Sequence, residues 1–211
     1  LRMHSDENPF SEKAKTWEQD PVKVRNAKIF ADEIINTIRK SSSLSGFEYG
    51  CGTGLVSFNL QPYLSKIILA DSSKGMLEVA SEKIISAQIN NMSTLEIDLT
   101  SQKPGDEKFS IIYSLLTMHH IADVQKIFST FYSMLESGGY LFIADLDKED
   151  GSFHGKDFSG HNGFNRLEMK NWCVSAGFVD VEFKTITSII RELADKTRKV
   201  FPLFLIKCRK C

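Results

Sequence analysis

Three glycines alternate with small residues at one point of the chain, where Gly50, Gly52 and Gly54 follow a short apolar run. Glycine lacks a Cβ, so such a segment turns tightly and lets a ligand approach the backbone. A loop of this kind between a strand and a helix is typical of a nucleotide-binding corner. Leu55 stands where a dinucleotide fingerprint has its third glycine, and no P-loop pattern is present. The spacing therefore disfavours both of those nucleotide sites.

Acidic and polar side chains recur where later strands are expected to end. Asp71 lies 21 residues after Gly50, and an acid about 20 residues beyond the loop can accept two ribose hydroxyls. Ligands of open parallel sheets bind at the carboxyl ends of the strands. Gly50, Asp71, Asp98, Ser114 and Asp145 are therefore expected to converge. The alternatives are a carboxylate at a helix N-terminus for Asp71 and a turn residue for Asp98.

The segment from Glu48 to Gly54 resembles the first motif of the class I S-adenosylmethionine-dependent methyltransferases. Later segments resemble that family's next motifs in order: 70–77, 96–99, 109–115 with 119–121, and 135–143. Ser110 departs from the family pattern, which often has Asp at this position. The resemblance covers roughly the middle half of the chain.

The resemblance implies S-adenosylmethionine as the cofactor. The glycines would pass under its amino-acid part and ribose, Glu48 would hold its ammonium group, and Asp98 would accept the adenine amine. Met76 would pack on the adenine, or else belong to an ordinary helix face. The expected cofactor-binding residues are Glu48, Gly50, Cys51, Gly52, Gly54, Asp71, Ser72, Met76, Asp98, Leu99, Ser114 and Leu115.

Histidines are the candidate catalytic residues. His119 and His120 follow the fourth predicted strand, and His154 lies in a glycine-rich stretch that also holds His161. A neutral imidazole can accept a proton near neutral pH, so these residues could act as a general base. The alternative is a structural role at a junction between a loop and a helix. The spacing of the four histidines matches no metal template, and the sequence predicts no metal site.

Short apolar segments alternate with helical periodicity along most of the chain, which predicts a doubly wound, mostly parallel α/β sheet of seven strands. The predicted strands are 44–49, 66–70, 94–97, 109–115, 140–145, 178–189 and 200–207. The predicted helices are 10–20, 22–39, 55–64, 73–89 with Ser72 as a cap, 123–135 closed by 137–139, and 166–176. The short connection at 191–199 is too small for a parallel crossover, so the last strand should be antiparallel. The resemblance implies that it lies between the fifth and sixth strands, as in a Rossmann-like methyltransferase fold.

The 211 residues fit a small lobe attached to one larger domain. We expect an N-terminal helical cap at 1–40 and an S-adenosylmethionine-binding domain at 41–211. Phe10 and Trp17 of the cap would form a lid over the cofactor, or else pin their helix to the core. The long unpatterned stretch at 147–164 is expected to be a functional loop.

The amino-acid composition limits the kinds of binding partner that we expect. The net charge of -1 and the pI near 6.6 disfavour nucleic acid. No apolar run reaches the roughly 20 residues of a membrane span, and no signal-peptide pattern is visible. Cys51, Cys173, Cys208 and Cys211 suggest reduced thiols and a cytoplasmic location, with the last two free on a frayed tail.

The sequence therefore predicts an enzyme that transfers a methyl group from S-adenosylmethionine to a small-molecule acceptor and releases S-adenosylhomocysteine. One alternative is a regulatory module that binds S-adenosylmethionine without turnover. Others are a nucleic-acid or protein methyltransferase and a nicotinamide-dependent oxidoreductase. The expected partner is the small acceptor, with neither nucleic acid nor a membrane.

Overall fold

The computed structural model describes residues 10–38 and 43–211. Its strands are β1 (Ser45–Tyr49), β2 (Lys66–Asp71), β3 (Met92–Glu96), β4 (Phe109–Leu115), β5 (Leu135–Leu146), β6 (Val179–Glu192) and β7 (Arg198–Arg209). Its α-helices are α1 (Pro21–Thr37), α2 (Leu55–Leu60), α3 (Lys74–Ser86), α4 (Val124–Met134) and α5 (Arg166–Ser175). Short 3-10 segments lie at Ala14–Gln19, Gln61–Tyr63 and Met118–His120.

The seven strands form one sheet in the order β3-β2-β1-β4-β5-β7-β6. Strands β1 to β5 pair in parallel, and β7 runs antiparallel to both β5 and β6. The predicted fold class, including the antiparallel last strand and its place between the fifth and sixth, is confirmed. Only residues 193–197 connect β6 to β7, and a hairpin is the connection that such a short segment allows.

Helices cover both faces of the sheet. Side chains alternate along each strand, so Phe47 and Ile112 face one apolar cluster with α4 and α5, while Tyr113 faces another with α1, α2 and α3. These strands are buried on both faces, which explains their nearly continuous apolar sequence. No helix in the described ranges combines the length and apolar character needed to cross a bilayer.

Two predicted helices differ from the structure near their ends. The expected helix at 10–20 is a turn followed by the 3-10 segment Ala14–Gln19, because Asp20 and Pro21 already begin α1. The helix expected at 55–64 ends at Leu60, and Gln61–Tyr63 continue as a 3-10 turn. Pro62 has no N–H to donate to the preceding helical turn, which explains the change.

The structure also differs from the prediction at the start of α3 and at the start of β5. Ser73, not Ser72, caps α3, since its hydroxyl accepts a hydrogen bond from the backbone N–H of Met76. Helix α4 ends at Met134 and β5 begins at Leu135, so no separate turn precedes that strand. Leu135 pairs with Phe109, and the residues up to 139 bulge out before the regular ladder resumes.

The C-terminal cysteines are not on a frayed tail. Cys208 lies within β7 opposite Leu141 and is fully buried, whereas Cys211 is exposed beyond the strand. A buried position in the ladder gives Cys208 the role of a small apolar side chain. All four cysteines are free thiols, as predicted. The expected division of the chain near residue 40 stays a prediction, because 39–42 lie outside the described residues.

A buried polar network supports the turn between β1 and α2. Glu48 is 2% exposed and accepts hydrogen bonds from the backbone N–H and the hydroxyl of Ser57. The Ser57 hydroxyl also lies 2.7 Å from the Tyr113 hydroxyl. Burial raises the pKa of Glu48 to about 8, although the Ser57 hydrogen bonds oppose the shift. The carboxyl group is therefore mostly protonated at neutral pH.

This burial predicts a pH-dependent gain of stability for Glu48→Gln. In the unfolded chain the carboxyl group ionises near its ordinary pKa, whereas the folded chain retains the proton until about pH 8. The wild type therefore loses stability relative to the Gln variant as pH rises through this window, by about 1.4 kcal/mol per pH unit. Urea unfolding at a series of pH values measures the difference.

The matched control is Glu78→Gln, at an exposed position on α3. Its offset from the wild type should stay nearly constant over the same range, because that carboxylate is solvated in both states. An offset for Glu48→Gln that is equally constant would contradict a protonated buried carboxyl group.

Candidate active site

The glycine loop (residues 50–54) lies at the carboxyl edge of the sheet, between the ends of β1 and β2. The backbone N–H groups of Gly50 and Cys51 both donate to the Ala70 carbonyl, at 2.8 and 3.0 Å. Gly50, Gly52 and Gly54 have φ values of 69°, 53° and 87°, a region that favours glycine. The loop is therefore a fixed bend that passes directly into α2.

The glycines serve different purposes. A Cβ on Gly50 would lie 2.3 Å from the Thr117 side chain, so this glycine permits close packing against the end of β4. A Cβ on Gly52 would lie 3.7 Å from Trp17 Nε1 and 3.9 Å from Met76 Sδ, which is ordinary contact. Gly52 thus lies next to Trp17 and Met76 without steric conflict.

Asp71 joins the glycine loop to the start of α3. Its Oδ2 accepts from the N–H of Gly52 and its Oδ1 from the N–H of Ser73, both at 2.8 Å. Burial raises the pKa of Asp71, and these backbone hydrogen bonds oppose the shift. The Ser72 backbone N–H contributes a third hydrogen bond, so of the roughly four acceptor positions of the carboxylate about one stays free.

Asp98 and Leu99 follow β3. Partial burial works to raise the pKa of Asp98, but hydrogen bonds led by those from Thr100 outweigh it and hold the pKa below its ordinary value. The N–H of Leu99 donates to the Tyr49 hydroxyl at 3.3 Å. A cleft of about 330 Å³ opens beside this turn, lined by Thr100, His120, Ile121, Ala122, Asp123 and Lys126.

Three of the predicted cofactor residues have side chains beneath the loop. Glu48 is bonded to Ser57, and the buried Ser114 hydroxyl donates to the Tyr49 carbonyl at 2.7 Å. Cys51 is buried, and burial raises its thiol pKa well above the ordinary value. These contacts are internal to the protein, and the proposed cofactor contacts of these three residues stay predictions.

His119 is held by a buried carboxylate. Its Nδ1 lies 2.7 Å from Asp145 Oδ1, and its backbone N–H donates to Asp145 Oδ2 at 3.2 Å. Asp145 is completely buried near the end of β5, and His119 is 2% exposed. The carboxylate fixes the imidazole and leaves its Nε2 as the atom available for other partners. Asp145 therefore acts on the site through His119.

The histidine loop (residues 147–164) brings His154 next to His119 and His120. The His154 ring centroid lies 4.9 Å from that of His119 and 5.6 Å from that of His120. The His154 ring also stacks on the Phe158 ring, with a centroid distance of 4.0 Å. Burial, followed by the neighbouring histidines, lowers the pKa of both His120 and His154 to about 4. Both side chains are therefore neutral at physiological pH. The structure thus unites all three candidate catalytic histidines.

His161 anchors the histidine loop. Its backbone N–H donates to the His119 carbonyl at 2.7 Å, and its Nε2 lies 2.9 Å from the Ile121 carbonyl oxygen. A Cβ on Gly160 would lie only 2.3 Å from the same His119 carbonyl. The loop is therefore packed tightly on the turn that carries His119 and His120.

The roof segment (residues 10–19) covers the site from the other side. Phe10 packs edge-on against His120, with centroids 5.3 Å apart, and Trp17 faces Gly52. Glu18 accepts from the Thr53 hydroxyl at 2.7 Å and forms an ion pair with Lys83. The roof segment therefore contacts both the glycine loop and the histidine cluster, the arrangement expected of a lid.

Sequence reasoning missed several residues of this site. Thr117 packs on Gly50, Glu18 bonds Thr53, and Phe158 stacks on His154. None of them belongs to a recognisable motif, because each contact joins segments that are distant in sequence. The aromatic content of the glycine-rich stretch was the one available signal, and it indicated packing partners without naming their target.

The comparisons with known proteins agree with this fold. Residues 47–143 match the family described as "Methyltransferase domain". An uncharacterised methyltransferase of Schizosaccharomyces pombe is 29% identical over 164 residues, which is 70% of this chain and 58% of that protein. The ubiquinone biosynthesis O-methyltransferase of Brucella ovis is 31% identical over 118 residues, 54% of this chain and 45% of that enzyme. The chain thus spans about half the length of the curated relatives it matches.

Solved structures share the whole architecture. An S-adenosylmethionine-dependent methyltransferase of Aquifex aeolicus superposes with a TM-score of 0.68 at 17% identity, covering 95% of this chain and 98% of the other. At this identity the likeness concerns the fold. The matched domain runs from β1 to β5 and so contains the glycine loop, Asp71, Asp98 and both adjacent histidines. Residues 47–143 of this chain therefore match a methyltransferase domain, within a fold that is shared with an S-adenosylmethionine-dependent methyltransferase.

Proposed function

We propose that this protein binds S-adenosylmethionine at the glycine loop and transfers its methyl group to a small molecule. The observation that carries the proposal is the junction at which Asp71 accepts a hydrogen bond from the Gly52 N–H within the glycine loop. Relatives named as methyltransferases, among them an O-methyltransferase of ubiquinone biosynthesis, support the same activity.

The residues at the junction fit the proposed donor. Asp71 lies at the end of β2, where an acidic side chain can accept ribose hydroxyls. The bare backbone at Gly52 suits a ligand that lies flat between Trp17 and Met76. The cleft beside Asp98 is of the size at which small ligand pockets begin, and it suits the adenine. The donor would then run along the strand ends from this cleft to the glycine loop.

In methyl transfer, the main task of this chain is to align the methyl group of the donor with the nucleophile of the acceptor. S-adenosylmethionine supplies a methyl group that is already activated by its positive sulfur. Holding the nucleophile in line with that methyl group can account for most of the lowering of the barrier. The roof segment and the histidine loop exclude water from the space between donor and acceptor, which protects the alignment.

A small acceptor fits the enclosure of the site. The acceptor side is bounded by Phe10 from the roof segment and by His154 and Phe158 from the histidine loop. These aromatic walls leave room for a compact molecule with an apolar body and one nucleophilic group. The near-neutral net charge gives no support to a nucleic-acid acceptor. A protein acceptor would need to insert a side chain through the same opening.

Asp71→Asn tests the binding half of the proposal. The amide keeps the size of the side chain but removes the negative charge that would attract the ribose hydroxyls. Each hydrogen bond to a charged group contributes about 1.5–3 kcal/mol, so we expect the dissociation constant for S-adenosylmethionine to rise about 10- to 100-fold. Isothermal titration calorimetry measures it.

The control for this substitution is Asp106→Asn, on the exposed turn before β4. It should bind S-adenosylmethionine like the wild type. Release of S-adenosylhomocysteine over a panel of hydroxyl, amine and carboxyl compounds then separates an enzyme from a binding module. A wild-type protein that takes up no S-adenosylmethionine would refute the proposal, and binding without any release would favour the regulatory alternative.

Gly52→Ala tests whether the ligand lies on the bare backbone. The new methyl group would meet only ordinary contacts in the protein itself but would project into the proposed ligand space. Its positive φ of 53° costs roughly 1–2 kcal/mol of stability for a residue with a Cβ. We expect S-adenosylmethionine affinity to fall by more than about tenfold.

Gly138→Ala is the matched control, because its φ is 79° and a Cβ there meets nothing within 4 Å. It should lose similar stability in thermal unfolding and keep full affinity. Equal affinities in the two alanine variants would show that the ligand does not contact Gly52.

A further inference from the structure

Three imidazoles converge at the carboxyl edge of β4 and β5. His119 and His120 come from the turn Met118–His120, and His154 comes from the histidine loop. One ring nitrogen of each lies within 4.8 Å of the others. His154 lies 34 positions after His120, so its contact with the other two histidines is a product of the fold.

One nitrogen of this cluster is buried without a partner. His154 Nε2 has no hydrogen-bond partner, although it is shielded from solvent. Buried polar atoms are nearly always satisfied by protein, water or an ion. The stacked Phe158 ring offers no acceptor or donor in its plane to this atom. The unpartnered nitrogen therefore marks a position where a further atom belongs.

The arrangement behind His119 is the one that orients a metal ligand. Asp145 engages Nδ1 of the ring and also the backbone N–H of the same residue. A histidine that binds a metal through one nitrogen generally gives its other nitrogen to a carboxylate or carbonyl. Asp145 fixes the ring in this way, and Nε2 remains free to bind on the side of His120 and His154.

The packing of the histidine loop holds His154, the third member of the cluster, in place. His161 bonds to the carbonyl groups of His119 and Ile121, and Gly160 lies in close contact with the first of these. This anchoring brings His154 opposite His119 without any direct hydrogen bond between them. A site assembled from two segments can be complete only when the loop is docked.

We propose that His119, His120 and His154 bind one divalent transition-metal ion. Three imidazole nitrogens are a donor set that suits zinc, and a three-ligand zinc site keeps a fourth position for water or substrate. The Thr117 hydroxyl, next to this turn, donates to the Gly50 carbonyl at 3.4 Å, so the histidine cluster adjoins the glycine loop. The ion would then favour an acceptor with a metal-binding oxygen. That consequence depends on the proposed methyl transfer, whereas the metal site itself does not.

Zinc binding by the full chain tests the site directly. After removal of metals with a chelator, calorimetry with Zn²⁺ should give one ion per chain. His120→Ala and His154→Ala should each weaken binding at least about tenfold, and the double variant about 100-fold or more. Asp106→Ala, on the exposed turn before β4, is the control and should bind like the wild type.

Two measurements keep the test independent of folding and of activity. Cobalt added to the wild type should give the intense visible absorption of a tetrahedral nitrogen site rather than the weak spectrum of the hydrated ion. Titration with S-adenosylmethionine should show that His154→Ala retains the donor site, which also separates a failure here from a failure of the proposed function.

The proposal is overturned if the wild type takes up no zinc, or if the double variant binds it as tightly as the wild type does. It is also overturned if Asp106→Ala abolishes binding, because the ion would then lie elsewhere. A single ion that is lost only with the cluster histidines, together with the tetrahedral cobalt spectrum, supports the site.

Discussion

The attachment of the glycine loop to the end of β2 is the constraint on which the rest of the site depends. Two backbone N–H groups share the Ala70 carbonyl, and the Asp71 carboxylate takes the N–H of Gly52. These bonds fix the bend in space relative to the parallel strands. If they were absent, neither the acid nor the bare backbone would have a defined position relative to a ligand.

The edge of the sheet divides into two chemically different halves. On one side, the carboxylates of Asp71 and Asp98 are held by backbone and hydroxyl donors and retain acceptor capacity. On the other side, imidazole and aromatic rings meet under the roof segment and the histidine loop. The first half suits polar recognition of a nucleoside, and the second suits a desolvated reaction space. This division is what a group-transfer site requires.

Two buried acidic groups of this protein have clear structural roles. Glu48 is neutral and bonded to Ser57, so it supports the turn from below and avoids the cost of an unpaired charge. Asp145 keeps its place in the core by bonding His119 and the N–H of Leu146. His154 Nε2 stands out against these two because it has no partner.

The sequence by itself determined the alternation of strands and helices, the glycine bend and the positions of the acids at strand ends. These features depend on local periodicity and on the conformational freedom of glycine, and both are properties of short sequence segments. The sequence could not determine that Ser73 rather than Ser72 caps α3, or that Glu48 faces inward to Ser57. Only the tertiary structure decided that the histidines meet, because that contact depends on how a long loop packs on a distant turn.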